Sequence, residues 1–167
     1  MAAAQGTVRV HVYDQAVTFR VEECGTMNHS LPLRRLAEQG LASGMTAVRI
    51  DLRHCTYMDS TFIGTLLCLQ RACQCRGQST LSLVSPSPEC CQLLKQMGIE
   101  QVFRIELAEE LSGITWMELT AAADVTSFKH NVVQAHQELA NLPGPAGEPF
   151  RWRGRRLTEE LEAEKAK

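Results

Sequence analysis

The chain has 167 residues, enough for one domain and an appendage, and its 44% hydrophobic and 22% charged residues are ordinary for a folded globular protein. A formal net charge of −2 gives no general attraction to nucleic acid or to an anionic membrane surface, so neither is expected as a partner. No apolar run reaches the length of a membrane span, and "MAAAQGTVRV" lacks the charged start and long apolar core of a signal peptide, so a cytoplasmic protein is expected.

Val8, Val10 and Val12, then Val17, Phe19 and Val21, alternate on either side of Asp14-Gln15 and predict a β-hairpin. "CGTMNHS" (24–30) reads as a loop. Asn28 or Ser30 is expected to cap a helix from about Leu31 to Leu41, with Leu33, Leu36, Ala37 and Leu41 on one face and Gly44 at its end. Val48, Ile50 and Leu52 alternate in a strand, and "TYMDS" follows as a short connection. The period then becomes helical at Phe62, Ile63, Leu66, Leu67, Leu69 and Cys73, with Gly77 closing the helix. "STLSLVSPSP" predicts a strand and a Pro-bounded loop, "ECCQLLKQMG" a helix ended by Gly98, and "QVFRIEL" a last strand. The order β-β-α-β-α-β-α-β describes a small α/β domain over residues 7–110, with a mixed β-sheet and helices packed on it.

Residues 111–167 form a C-terminal helical extension. Val125, Phe128, Val132, Ala135, Leu139 and Leu142 recur at alternating spacings of three and four, which predicts a helix over about 125–142, capped by Asp124 or Thr126. This narrow stripe is expected to pack on its own domain, with a homodimer seam as the alternative. "PGPAGEP" (143–149) is a turn. Residues 150–167 read as a charged tail helix whose Arg151, Arg153, Arg155 and Arg156 cluster with Trp152, ahead of an acidic run that offsets them.

Seven cysteines at 24, 55, 68, 73, 75, 90 and 91, with no C-x-x-C pair, read as reduced thiols acting as small buried hydrophobes. The five histidines contain no H-x-x-x-H pair and read as structural or surface residues. There is no G-x-S-x-G elbow, because Met58 and Phe62 flank Ser60, and no phosphate loop or H-E-x-x-H. No Cys has Arg at the sixth residue after it, as a cysteine phosphatase would need. No enzyme activity, metal or cofactor is expected.

The stretch "YMDSTFIGTLL" (57–67) places Asp59, Ser60 and Thr61 directly before the apolar run. Asp59 or Ser60 caps the helix in the simplest reading. The same position suits a switch. A phosphate at a helix N-terminus meets N–H groups and the favourable end of the dipole. It would add about two negative charges beside Asp59 and repel a closely bound partner while leaving the fold alone.

The run "VRIDLRHCTYMDSTFIGTLLCLQRACQCRGQSTLSLVSPSPECCQLLKQMGIEQVFRI", with its "MDSTF" between third strand and second helix, resembles the STAS domain of anti-sigma factor antagonists. The resemblance covers about Val8 to Glu110. It implies a protein that, when unphosphorylated, binds an anti-sigma factor that is also a serine kinase, and so frees a sigma factor for transcription. It implies phosphorylation by that kinase at Ser60, with Thr61 secondary, and a serine phosphatase that resets the switch. It also implies that Asp51 and Asp59 line the partner site as acidic positions. Two residues depart from the family pattern: Phe62 stands where Gly is usual and would add an apolar anchor, and Asn28 stands for an Asp while still able to cap a helix. The alternative within the resemblance is a scaffold or adaptor, such as a stressosome-like assembly or a transporter's accessory subunit, with Ser60 only a cap.

Overall fold

The computed structural model describes residues 5–120 and 125–166. Strand β1 (Thr7–Tyr13) turns through Asp14, at φ 54°, into antiparallel β2 (Ala16–Gly25). The chain continues through α1 (Met27–Ala42), β3 (Ala47–Met58), α2 (Ser60–Arg76), β4 (Thr80–Val84), α3 (Pro88–Gln96) and β5 (Arg104–Glu106). Strands β2, β3, β4 and β5 run parallel to one another. A two-residue strand, β6 (Met117–Glu118), joins the far edge beside β1, giving the sheet order β5-β4-β3-β2-β1-β6. This is the expected α/β fold with a mixed sheet; β6 was invisible in the sequence because two residues carry no periodicity.

Alternation along the strands divides the sheet into two faces. Val8, Val10, Val17, Phe19, Val21, Val48, Ile50 and Leu52 are all buried and share one core with Leu33, Leu66 and Leu69 of the helices. The opposite face carries Arg9, Thr18, Arg20, Arg49, Asp51 and Arg53. Residues 107–116 cross that face on the way from β5 to β6. Arg53 donates to the Ala108 carbonyl at 2.9 Å, and the Arg20 guanidinium lies 4.3 Å from the centre of the Trp116 ring.

Among the boundaries that differ from expectation, two have a clear local reason. Helix α1 starts four residues earlier than expected. Its N-cap is Thr26, in extended conformation, neither Asn28 nor Ser30. His29 at the third helical position returns the cap, its Nδ1 accepting from the Thr26 N–H at 3.4 Å. The early start places Pro32 inside the helix, where it withholds the N–H that would reach the Asn28 carbonyl. Strand β3 runs on through "TYM", because Cys24 and Gly25 of β2 pair with Tyr57 and Met58 and hold the backbone extended. The expected connection shrinks to the single residue Asp59.

The extension adds a third layer. Helix α4 (Val125–Ala140) lies across α2 and α1, and α5 (Glu148–Lys165) packs against α4 after a 3₁₀ turn at Gly144–Ala146. Ala135, Leu139 and Leu142 of the apolar stripe are buried within the chain, while Phe128 and Val132 are half-buried. Asp124, one candidate cap of α4, lies outside the described residues, as do the side chains of Val125, Trp152, Arg153 and Arg155. Among the described residues, no helix is long and apolar enough to cross a membrane.

Candidate functional site

Asp59 is the junction from which the site is built. It sits between β3 and α2 in extended conformation, φ −78° and ψ 169°. Its Oδ1 accepts from the Phe62 N–H at 2.8 Å, capping α2. Its Oδ2 accepts from the Met27 N–H at 2.7 Å, at the first residue of α1. One carboxylate therefore closes the N-termini of two helices, whose positive dipole ends both favour its charge. Asp59 also donates its N–H to the Gly25 carbonyl at 3.0 Å, which keeps the junction tied to β2.

Asp59 being the cap, Ser60 is the first residue of α2 and does not cap it, which corrects that half of the expectation. Ser60 is half-buried. Its Oγ forms a 3.1 Å hydrogen bond with Nε2 of His136 on α4, the donor being set by the imidazole tautomer. His136 is 9% exposed and stacks on Phe150 of α5, with ring centroids 6.4 Å apart. The extension thus reaches over the residue that the sequence singled out.

Thr61 and Phe62 face inward. Thr61 is 2% exposed, so its hydroxyl is not presented to another protein. Phe62 is completely buried in the core and offers no anchor to a partner, contrary to expectation. Its ring occupies space left by Gly25: a Cβ at Gly25 would lie 2.6 Å from the Phe62 ring. A bulky side chain on α2 is accommodated by a missing one on β2.

Asn28 is exposed at the second position of α1, next to Met27, whose N–H donates to Asp59. Asp51 does not join the site. It lies seven residues before the end of β3, roughly 20 Å along the strand from Asp59. It is 2% exposed on the opposite face of the sheet, bonded to Arg53 at 3.1 Å and 3.6 Å from Arg20. It balances the buried Arg20 instead of lining a partner surface.

His29 does stand beside the junction. Burial lowers its pKa below the usual 6.5, outweighing the Gly6 backbone hydrogen bond and the Asp59 charge, which raise it. Met27 and Tyr57, both more than two-fifths exposed, place apolar surface on the two segments that meet at Asp59.

The contact between α2 and α4 is close and partly polar. A Cβ at Gly64 would lie 2.2 Å from the Ala135 carbonyl oxygen, so the two helices meet at backbone distance. Buried Asn131 donates from Nδ2 to Thr65 Oγ1 at 3.3 Å and accepts from Arg34 of α1 at 3.2 Å. Neither Asn131 nor His136 stood out in the sequence, because a stripe is defined by its apolar positions; polar residues four before and one after Ala135 were the available signal.

Of the seven cysteines, Cys24, Cys55, Cys68, Cys73 and Cys90 are buried as expected, while Cys75 and Cys91 are exposed. Among the described residues, no three His, Cys, Asp or Glu converge as metal donors.

Comparison with known proteins places this geometry in a wider group. The unphosphorylated anti-sigma factor antagonist SpoIIAA is similar in fold, with TM-score 0.51 and 19% identity over 62% of this chain and 89% of that one. The phosphorylated form of SpoIIAA, a Bacillus cell fate determinant, matches with TM-score 0.51 and 17% identity over 62% and 92% of the two chains. A putative anti-sigma factor antagonist from Thermotoga maritima matches with TM-score 0.52 and 15% identity over 60% and 85%. No curated protein matches the chain. The family model described as "Mlab, STAS domain" matches residues 8–109, from β1 to the residue before Glu110. With that match spanning more than half of its length, the chain belongs to the STAS domain family.

Proposed function

We propose that this protein is an anti-sigma factor antagonist whose binding is switched by phosphorylation at Ser60. The observation that carries the reading is the placement of Ser60: it is the first residue of α2, outside the core, beside the Asp59 carboxylate, while its neighbours Thr61 and Phe62 are buried. That favours Ser60 over Thr61 as the modified hydroxyl. In its unphosphorylated form the protein holds an anti-sigma factor serine kinase against the surface around Asp59, Ser60, Asn28, Met27 and Tyr57. Phosphorylation by that kinase adds about two negative charges at a helix start that already bears a carboxylate, and an acidic or close-fitting partner surface is repelled. A serine phosphatase restores the binding form. The protein itself performs no catalysis and acts in the cytoplasm with the transcription machinery.

One observation favours a second reading, a STAS scaffold or adaptor in which Ser60 carries no phosphate: the Ser60 hydroxyl is already engaged by His136. Tagged wild type, Ser60→Ala and Ser60→Asp, used to capture partners from source-cell lysate, separate the two readings. The switch predicts that a kinase-like anti-sigma factor is held by wild type and Ser60→Ala and reduced at least tenfold by Ser60→Asp. Equal retention of every partner by all three variants rejects the switch and leaves the scaffold.

A further inference from the structure

We propose that α4 is a detachable cover over the outer face of α2, and that a negative charge placed on Ser60 releases it. The second half rests on the reading of Ser60 as the modified residue; the first half does not.

The family match ends at residue 109, before α4 begins, so the surface that α4 covers belongs to a domain that is defined without it. On that surface α2 presents Ser60, Gly64, Thr65 and Cys68, one small side chain after another. Against them α4 sets His136, Ala135 and Asn131. The contact is mixed: hydrogen bonds to buried Asn131 and His136 supply one part of it, while Leu139 and Leu142 beyond them join the core. The polar part can lift and re-seat without undoing the sheet, because its polar groups find water when it opens.

The seat has no slack at Ser60. The Oγ lies 3.1 Å from His136 Nε2, and one turn further along α2 the Gly64 backbone already touches the Ala135 backbone. In phosphorylation the Ser60 Oγ–H bond breaks and an Oγ–P bond forms with the γ-phosphorus of a nucleoside triphosphate. The nucleoside diphosphate leaves, and the proton passes to the kinase's base. The added tetrahedral group cannot fit within the 3.1 Å that separates Ser60 Oγ from His136 Nε2, and its accommodation lifts α4. Once α4 rises, the Gly64–Ala135 and Thr65–Asn131 contacts are lost together. Reciprocity follows: whatever holds α4 down hinders modification of Ser60, and modification favours the uncovered state by the same factor.

Cys68 is a built-in reporter. It lies one helical turn after Gly64, in the cleft lined by Arg34 and Glu38 of α1 and Gln134 and Glu138 of α4, and is 8% exposed. Burial, the largest influence, raises its pKa to about 11, so the closed state also suppresses its thiolate. The test is the rate of maleimide alkylation at Cys68 in the full chain, mapped by peptide mass spectrometry. Exposed Cys91, away from this cleft, reports the intrinsic rate, and Cys73, 2% exposed, reports an intact core. Gly64→Ala, which forces a Cβ against Ala135, is expected to raise the Cys68 rate about tenfold with Cys73 still protected. Ser60→Asp is expected to do the same, and Ser60→Ala to change it less than threefold. An unchanged rate in Gly64→Ala shows that α4 is not detachable and overturns the proposal. A rate in Ser60→Asp equal to or below wild type, as when His136 clamps the charge, overturns the coupling. If Ser60→Asp loses its captured partner while Cys68 stays protected, the switch stands and the cover falls. If Cys68 opens while partners are unchanged, the cover stands and the switch falls.

Discussion

Asp59 holds more of this structure than any other single side chain of the site. Its two oxygens satisfy backbone donors on α1 and α2, and its own backbone is tied to β2. Losing one N-cap side chain costs about 1 kcal/mol, and Asp59 serves two helix starts, so Asp59→Ala is expected to cost about 2 kcal/mol in chemical denaturation. Asp59→Asn, which keeps one acceptor, is expected to cost about half of that. An Asp59→Ala cost below about 0.5 kcal/mol would show that the second helix start does not depend on the carboxylate. The neighbouring Phe62 is a substitution settled inside the fold: Gly25 makes room for its ring. Its family contrast with Gly pointed at a partner surface, yet its consequence lies in the core.

At the scale of elements, the start of α1 depends on an uncharged His29. Its Nδ1 accepts from the Thr26 N–H, which a protonated ring cannot do. The folded state takes up that proton less readily than the unfolded chain, because burial lowers the His29 pKa from 6.5. The stabilisation is therefore present above about pH 6.5 and is lost as pH falls through the lower folded value. Amide exchange at Met27–Leu31, corrected for intrinsic rates, is expected to accelerate on going from about pH 7.5 to about pH 5.5. His29→Gln, which keeps a capping partner without a titrating ring, is expected to remove that dependence; persistence in the variant would assign it elsewhere.

At the scale of the whole molecule, the extension is built into the chain's own layers. Leu139 is fully buried and joins the core cluster, which leaves the inner part of its stripe no seam to offer a second copy. Leu139→Ala is expected to lower stability by about 3 kcal/mol while the mass measured by light scattering stays the same. A mass that halves in the variant would restore the dimer seam. The face opposite the helices follows a different plan, with buried Arg20 held by Asp51 and covered by Trp116. That explains why Asp51, acidic and close in sequence to the motif, is structurally remote from it.

The sequence by itself determined the strands and helices of the α/β domain, because alternation and helical spacing record which side of each element faces the core. It also narrowed the cap of α2 to Asp59 or Ser60, because small polar residues before an apolar helical run commonly cap it; that Asp59 is the cap, and that its second oxygen reaches Met27 of α1, only the fold decided. Helix and strand ends were less legible, since Thr26 and Met58 are fixed by a returning His29 and by pairing with β2, not by their own propensities. The pairing of Ser60 with His136 had no local signal at all: 76 positions separate the two residues, and only the seating of α4 on Gly64 brings them to 3.1 Å. Local periodicity encodes burial; which buried faces meet is decided by the packing of the complete chain.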